Sequence, residues 1–447
     1  MTTFQIGLLY VSTAFLLFFS GMPIAFALGS VALLFMFIFM PAANIGMIAQ
    51  TFYGELNNFT LLAIPLFVLM GAAIGKTRAA VDLYESTHRW LYRLPGGLGV
   101  ANIAGCAIFA AMCGSSPATC AAIGGMGIPA MRRRGYSAEL AAGLIAAGGT
   151  LGILIPPSIT LIIYGIITEQ SIGRLFMAGV VPGIMLAVFF ALWVVYASVR
   201  EKRRMLAGMD PAQVAQLPPD ERFSWRERFE TIPRLLPFIA LIVVVMAAMY
   251  GGWATPSEVA GVDAFGALLM VVLVYRVFRW REFKDILSGA ARESCMIMMI
   301  IATAFLFTYV MSYLHITQSA TEWLVSLPLS KWAYLFWVNV LLVVLGFFLP
   351  PVAIILMVTP VILPGLQAHG FDLVWYGVIM TILMEMGLIH PPVGLNLFVI
   401  NGIAPDITFK QIIYGVLPFL VIMLLSIVLL AVFPQIVMWL PDHMFGK

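Results

Sequence analysis

Charged side chains are scarce in this 447-residue chain, which has 24 Lys and Arg, 21 Asp and Glu, and 10% charged residues in all. A soluble domain carries about 25% charged residues. Apolar residues make up 62% of the sequence, and the mean hydropathy is +1.02. The composition therefore excludes a soluble protein and predicts a chain that crosses a membrane many times. The net charge of +3 is small, and no basic patch suggests binding to nucleic acid.

Cysteine and nucleotide-binding motifs are also rare or missing. Cys106, Cys113, Cys120 and Cys295 all lie in apolar segments, so we interpret them as buried residues and not as a disulfide framework or metal site. The segment Gly71–Thr77 is similar to a P-loop, but it is one residue short between its glycines. Because zinc, kinase and Rossmann signatures are missing too, the sequence gives no sign of an ATPase or of a cofactor-dependent enzyme.

An apolar segment from about residue 98 to residue 131 has a polar turn, Gly114-Ser115-Ser116-Pro117, in its middle. Each flank of about 15 residues would rise only about 23 Å as a helix, which is less than the roughly 30 Å of a bilayer core. We therefore predict a re-entrant hairpin. The following apolar run, at about 138–167, is interrupted by Pro156-Pro157-Ser158 and predicts a broken helix. Irregular backbone within a membrane must be buried by protein or line a cavity, so the tip and the break are candidate solute and ion sites.

The same pattern recurs 235 residues later in the chain. The matched positions are prolines and glycines, namely Pro156 with Pro391, Pro157 with Pro392, Pro129 with Pro364, and Gly135 with Gly370. A second tip, Leu349-Pro350-Pro351-Val352, predicts a hairpin at about 332–364, followed by a broken helix at about 373–403. Chance alignment in a chain rich in Gly and Pro is the alternative. Two broken-helix repeats are typical of a secondary transporter.

These features predict an all-α polytopic membrane protein with two repeats and scaffold spans. The predicted segments are N-terminal scaffold spans (1–58), a first repeat (59–199), a cytoplasmic loop (200–234), further scaffold spans (235–291), a second repeat (292–434) and a tail (435–447). If the basic loops lie on the cytoplasmic side, the chain has ten full spans, and the two hairpins open from opposite sides of the membrane. The repeats are then inverted, which is the geometry that alternating access needs.

The first tip offers the hydroxyl groups of Ser115 and Ser116 at membrane depth. Oxygen atoms are the ligands that small, hard cations prefer, so we predict that both serines bind a small cation or solute. N-capping of the second hairpin helix is the alternative. The proline pairs remove backbone donors and free carbonyl oxygens. Ser158 follows the first pair, and Gly394 and Asn396 follow the second; a passive kink is the alternative at both breaks.

Two ionisable residues belong to the second repeat's predicted broken helix. Glu385 lies within the apolar run from Trp375 to Ile389, where a carboxylate is costly and suggests function. A structural bond to a neighbouring helix is the alternative. His390 directly precedes Pro391, and its side chain is of the type that changes charge near neutral pH; a plain buried histidine is the other interpretation.

Several motifs resemble those of the large membrane subunit of TRAP transporters, the DctM type. They are LAIPLF at 62–67, GSS at 114–116, PPSI at 156–159, LFMAG at 175–179 and EMGLIHPPVG at 385–394. The resemblance covers nearly the whole chain. It implies an ATP-independent, sodium-coupled importer of an organic acid anion, such as a C4-dicarboxylate, in the bacterial inner membrane. The implied mechanism is an elevator, in which hairpins and broken helices move against a scaffold.

The resemblance also implies partners and ion sites. The partners are a small four-helix membrane subunit of the DctQ type and a periplasmic substrate-binding protein of the DctP type. The implied sodium sites involve Ser115, Ser116 and the backbone near Pro351 and Pro392. This chain departs from the family at Pro350-Pro351, where an acidic and small polar residues are usual, and at His390, where Thr is usual.

Other classes of protein remain open on the sequence alone. A single-component sodium–anion symporter of the same inverted-repeat build is the nearest alternative. A membrane enzyme would want paired catalytic residues at one depth, whereas Glu385 is isolated. A channel predicts an unbroken polar path and not two closed hairpins.

Overall fold

Helices form nearly all the regular structure of the computed structural model, which describes residues 1–207, 223–326 and 328–445 and has no strand within them. In the first half the helices are α1 (Thr3–Phe19), α2 (Ile24–Phe39), α3 (Met47–Leu56), α4 (Ala63–Gly75), α5 (Ala79–Leu91), α6 (Gly97–Cys113), α7 (Ser116–Arg133), α8 (Ala138–Leu154), α9 (Ile159–Thr168) and α10 (Ile172–Ala207). In the second half they are α11 (Trp225–Phe229), α12 (Ile232–Tyr250), α13 (Pro256–Leu273), α14 (Trp280–Tyr313), α15 (Ile316–Ser326), α16 (Lys331–Gly346), α17 (Pro351–Ala368), α18 (Leu373–Ile389), α19 (Leu395–Ile403), α20 (Phe409–Val432) and α21 (Gln435–Phe445).

Six of the described helices are long and apolar enough to cross a membrane, and the number is eight if each of two bent pairs forms one span. This count rests on length and composition alone. One of the six, α17, is a hairpin arm, whereas α1 and α2 have only 17 and 16 residues. A polytopic membrane protein is thus confirmed, and the number of ten spans stays a prediction.

Both predicted hairpins and both predicted broken helices are present. Helices α6 and α7 pack against each other and form hairpin one, whose tip contains Gly114 with φ +58°. Glycine accepts this left-handed conformation without the steric cost that other residues meet. Helices α8 and α9 form the first broken helix and meet at an angle of 41°. Hairpin two consists of α16 and α17, and the second broken helix consists of α18 and α19.

The two halves repeat the same helix pattern at the offset seen in the prolines. Helices α7 and α17 both begin and end at positions that differ by 235, as do α8 and α18. Gly135 and Gly370, which follow the hairpins at this offset, have φ values of +83° and +67°. Positions that fix backbone geometry therefore occur in both halves with the same consequence. The orientation of each half in a membrane stays a prediction, as does the division into moving and scaffold segments.

The repeats pack across each other at the centre of the molecule. Helix α7 of hairpin one packs on α19, and α17 of hairpin two packs on α9. The long halves of the broken helices, α8 and α18, also contact each other. The second arm of each hairpin thus packs on the short half of the other repeat's broken helix, and each tip lies close to a break.

The predicted polar loop is only partly described, because residues 208–222 lie outside the described residues. Its described end packs on the amphipathic helix α5. Arg234 lies 3.5 Å from Asp82 and 3.0 Å from Glu85, and Tyr275 donates a hydrogen bond to Asp82. These polar contacts tie α5 to the start of α12 and fasten the second half to the first.

Candidate functional site

The tip of hairpin one leaves the hydroxyl group of Ser115 without a capping bond. Ser115 has the extended backbone of an N-cap residue before α7, but its side chain makes no cap hydrogen bond. Its carbonyl oxygen instead accepts a hydrogen bond from the Thr119 hydroxyl at 2.9 Å. The capping alternative therefore does not account for Ser115. Ser116 is only 1% exposed, so its hydroxyl group needs a partner within the protein.

That partner is Asn396 at the start of α19. The Asn396 side-chain amide donates hydrogen bonds to Ser116 Oγ at 2.8 Å and to the carbonyl oxygen of Ala146 at 3.3 Å. The other amide atom, Oδ1, is buried and has no hydrogen-bond partner among the described residues. A residue of the second break thus holds the first hairpin tip, and it leaves one acceptor oxygen free.

Glu385 of α18 reaches the first broken helix. Its Oε1 atom accepts a hydrogen bond from the backbone N–H of Ile153 at 3.1 Å, whereas the buried Oε2 atom has no hydrogen-bond partner among the described residues. Ser116 lies near this carboxyl group, but no hydrogen bond joins the two side chains. The structural bond to a neighbouring helix is therefore present, and one carboxylate oxygen remains free.

Ser158 stabilises the first break. Its hydroxyl group donates to the carbonyl oxygen of Ile153 at 2.5 Å and accepts from the backbone N–H of Leu161 at 3.2 Å. The second bond caps α9, as serine does at many helix N-termini. Pro156 and Pro157 are buried beside it. Since both bonds of Ser158 are local, its hydroxyl group supports the break, and a role in binding solute stays a prediction.

The side chains of Ser116, Glu385 and Asn396 form what we call the central oxygen cluster. All three residues are at most 1% exposed, and two of their acceptor oxygens have no hydrogen-bond partner in the described parts of the chain. Unsatisfied buried acceptors are costly, and a small cation or a water molecule would relieve that cost. Within the residues described, no group of three or more His, Cys, Asp or Glu could hold a metal ion. Binding of a small cation at this cluster stays a prediction.

The tip of hairpin two has a different chemistry. Pro350 is the N-cap residue of α17 and provides no side-chain capping bond, and Pro351 after it is buried. Phe347 at this tip stacks on the ring of His390, with 4.3 Å between the ring centroids. The His390 Nδ1 atom also contacts the carbonyl oxygen of Pro391. His390 thus belongs to the second tip, and its contacts with other described residues do not include the central oxygen cluster.

The two breaks differ in exposure. Pro156, Pro157 and Ser158 of the first break are buried, whereas Pro392, Val393 and Leu395 of the second break are exposed. Gly394 between them has φ +48°, which favours glycine at this position. We call each hairpin tip, together with the break of the same repeat, a half-site. The two half-sites are equivalent in backbone pattern, but their breaks differ in exposure.

A cleft of about 490 Å³ lies away from the cluster, at the C-terminal end of α9. Its lining includes Glu169, Gln170 and Ser171 of the turn after α9, and Asn58 and Thr60 before α4. The Asn58 side chain accepts a hydrogen bond from the backbone N–H of Thr60 at 2.9 Å, so Asn58 caps the turn and also lines the cleft. The described lining contains no Lys or Arg, and the side of the membrane on which the cleft lies stays a prediction.

Sequence reasoning missed three residues that the structure draws to these sites. Gly152 and Gly387, one in each long half of a broken helix, pack against the hairpins and share the 235-residue offset. That offset was available as a signal in the sequence. Asp263 of α13 is buried at 3% exposure, and the rule that singled out Glu385 would also have selected it, because it lies in an apolar run.

Comparisons with known proteins agree with this architecture. Residues 11–436 match the model of the tripartite ATP-independent periplasmic transporter DctM component. The C4-dicarboxylate TRAP transporter large permease protein DctM of Pseudomonas aeruginosa is 38% identical over 386 residues, covering 86% of this chain and 87% of the relative. The isethionate TRAP transporter permease protein DctMQ of Oleidesulfovibrio alaskensis is 33% identical over 419 residues, covering 94% of this chain and 64% of the longer relative.

A solved structure supports the fold independently. The Alcanivorax borkumensis YdaH transporter, described as having an unusual topology, matches with a TM-score of 0.58 at 14% identity and covers 89% of this chain and 90% of that one. At this identity the likeness concerns the fold alone. The family match, by contrast, covers nearly the whole sequence and makes the protein a transporter permease and not an enzyme. The chain belongs to the DctM component family of the tripartite ATP-independent periplasmic transporters.

Proposed function

We propose that this chain is the large permease subunit of a sodium-coupled importer of an organic acid anion, for example a C4-dicarboxylate or a similar carboxylate. The observation that carries the proposal is the central oxygen cluster, where a hairpin tip, a long half-helix and a short half-helix each supply one residue. The relatives' names, which specify a C4-dicarboxylate and isethionate, support a small organic anion as substrate.

Sodium suits the cluster because its available ligands are oxygens. Ser116 offers a hydroxyl group, and Glu385 Oε2 and Asn396 Oδ1 are free acceptors. A single carboxylate among neutral oxygens favours a monovalent ion. A divalent ion such as Ca²⁺ would need about six to eight oxygen ligands to be held tightly. An ion that must leave on every cycle needs such moderate affinity. Ser115 lies at the same tip, and its hydroxyl group, which caps no amide, is a further candidate ligand.

The packing supports an elevator mechanism. Hairpins and broken helices contact one another across the two repeats, which is the packing that a unit moving as one body needs. The difference in exposure between the first and second breaks is what one end state of such a movement would have. In the opposite end state we expect the first break to be exposed and the second to be buried.

We also propose two protein partners, a small four-helix membrane subunit of the DctQ type and a periplasmic substrate-binding protein of the DctP type, in the bacterial inner membrane. A relative named DctMQ is longer than this chain, which supports the first partner. We assign the cleft at the C-terminal end of α9 to solute arriving from the binding protein. Its polar groups lie between the first repeat and the α12–α13 turn.

The test is sodium-driven uptake of a radiolabelled C4-dicarboxylate into proteoliposomes, with and without the two partners. We expect uptake only when both partners are present. In the complete system, Ser115→Ala with Ser116→Ala should raise the sodium concentration for half-maximal uptake on the order of tenfold, since a hydrogen bond or ligand contact to a charge contributes about 1.5–3 kcal/mol. Ser426→Ala is the matched control, because that buried hydroxyl group donates only to the carbonyl oxygen of Ile422 in its own helix, α20.

The outcomes separate the parts of the proposal. Robust uptake by the isolated chain would favour the single-component symporter. Uptake that is independent of sodium would reject the coupling ion. If the serine double variant retains the wild-type sodium dependence while it inserts and assembles normally, the first tip is not an ion site.

A further inference from the structure

A second buried carboxylate lies apart from the central oxygen cluster. Asp263, in the middle of α13, borders a narrow space with no room for a water molecule. The opposite wall is formed by Ala111 and Met112, at the end of the first arm of hairpin one, and by Pro156 and Pro157 of the first break. Apolar residues of α4 and α12 complete the lining. Asp263 thus faces hairpin one and the first break. Its own helix, α13, belongs to neither hairpin and to neither broken helix.

The surroundings leave Asp263 without a neutralising group. It has no hydrogen-bond or ion-pair partner among the residues that the structure describes. None of the other side chains around the space carries an oxygen or nitrogen atom. An ionised carboxylate in such surroundings is strongly disfavoured, and a metal cation would lack the several oxygen ligands that it needs. A single proton, by contrast, neutralises the group with no further ligand.

The titratable and charged groups on neighbouring helices do not change this conclusion. Helix α4 and the turn Phe59–Leu62 contain none, and α6 contributes only the thiols Cys106 and Cys113. On α12, Arg234 is paired with Asp82 and Glu85, and the Tyr250 hydroxyl donates to the sulfur of Met246. On α13 itself, Glu258 belongs to the capping box at the helix start.

We propose that Asp263 is a proton-binding site that couples the docking of hairpin one and the first break on α13 to protonation. While these elements cover Asp263, the carboxyl group keeps its proton. When they move away, water reaches the group and the proton is released. This site is separate from the proposed sodium site and does not depend on it, so the movement of the first half-site would respond to pH through a residue that contacts neither sodium nor substrate.

The test measures access to the interface. The full-length chain, with its native cysteines replaced by Ala and Met112 replaced by Cys, is reconstituted in lipid nanodiscs and alkylated with a maleimide between about pH 6 and pH 8, where the thiolate fraction also rises. The chain that also carries Asp263→Asn gives the contribution of the thiol alone. With Asp263 present, the rate should rise with pH by up to about tenfold per unit beyond that reference, because the ionised fraction of a mostly protonated acid grows in that proportion.

The matched control is the substitution Glu258→Gln. Glu258 is an exposed acid on the same helix, and glutamine also fits its position in the capping box. Its pH dependence should equal that of the chain with Asp263 and Glu258 intact. A second measurement uses the otherwise unaltered protein: infrared spectra at neutral pH should contain a protonated-carboxyl C=O band that Asp263→Asn removes. Equal pH slopes with and without Asp263, or spectra in which Asp263→Asn removes no such band, would overturn the proposal.

Discussion

Glu385 has two oxygen atoms in different surroundings, and each supports a different interpretation of the residue. Oε1 accepts the backbone N–H of Ile153, which makes the structural bond to a neighbouring helix. Oε2 is buried without a hydrogen-bond partner among the described residues and remains available to a cation. The residue therefore has the contacts that either role requires, and a substitution that separates the charge from the acceptor decides between them.

Glu385→Gln makes that separation. Glutamine keeps an oxygen acceptor for the Ile153 N–H and removes the negative charge, so we expect assembly to persist while half-maximal uptake needs on the order of tenfold more sodium. Glu385→Ala removes both functions, leaves the Ile153 N–H unsatisfied and should lower the free energy of unfolding by about 1–3 kcal/mol. Sodium titrations of uptake and thermal unfolding in detergent measure the two effects. If Glu385→Gln keeps the wild-type sodium dependence, the role of Glu385 is structural only.

At the scale of secondary structure, each hairpin depends on a glycine in a broken helix. A Cβ atom at Gly152 would lie 2.9 Å from the backbone C and O atoms of Ser115, and one at Gly387 would lie 2.7 Å from the carbonyl oxygen of Gly346. Backbone atoms at these distances cannot move aside as a flexible side chain does. The glycines therefore allow the close approach that sets the position of each hairpin.

We expect Gly152→Ala and Gly387→Ala to displace the hairpins and to lower the free energy of unfolding by about 1–3 kcal/mol, as overpacking does in other cores. The control is Gly125→Ala in α7, where a Cβ atom would meet nothing within 4 Å. There the better helix propensity of alanine should raise stability by up to about 1 kcal/mol. Thermal unfolding of the three variants checks the difference. Equal midpoints for all three would contradict the close-contact argument.

The hairpins and breaks were predictable because Pro and Gly act on their own stretch of backbone. Pro156 and Pro391, for example, interrupt helices in their apolar runs regardless of how the rest of the chain packs. The contact between Ser116 and Asn396 was not predictable, since 280 positions separate the two residues and the packing of one repeat on the other brings them together. Asp263 was visible in the sequence, but its position against hairpin one depends on that same packing.

At the scale of the whole molecule, the positive-inside pattern predicts opposite orientations for the two hairpins. Arg133 and Ala368 end the second arms of hairpins one and two at equivalent positions, and both are exposed. A membrane-impermeant thiol reagent distinguishes their sides. In a background without native cysteines, Arg133→Cys should react from the cytoplasmic side and Ala368→Cys from the outside of sealed vesicles.

The cysteine-free chain and vesicles opened with detergent serve as controls for this labelling. In opened vesicles both cysteines should react, since both positions are exposed. Reaction of both from the same side in sealed vesicles would contradict the inverted repeat. The hairpins and broken helices would then face one compartment, and an alternating exposure of the two breaks would need another explanation.

The crossed packing of α7 on α19 and of α17 on α9 limits how such a molecule could have originated. A single copy of the repeat contains a hairpin and a broken helix, but the short half-helix that supports the hairpin belongs to the other copy. An ancestor with one repeat would have needed a second copy of itself to complete either half-site. Joining the two copies in one gene removes that requirement, and it also lets the copies diverge, as Ser115-Ser116 and Pro350-Pro351 have done.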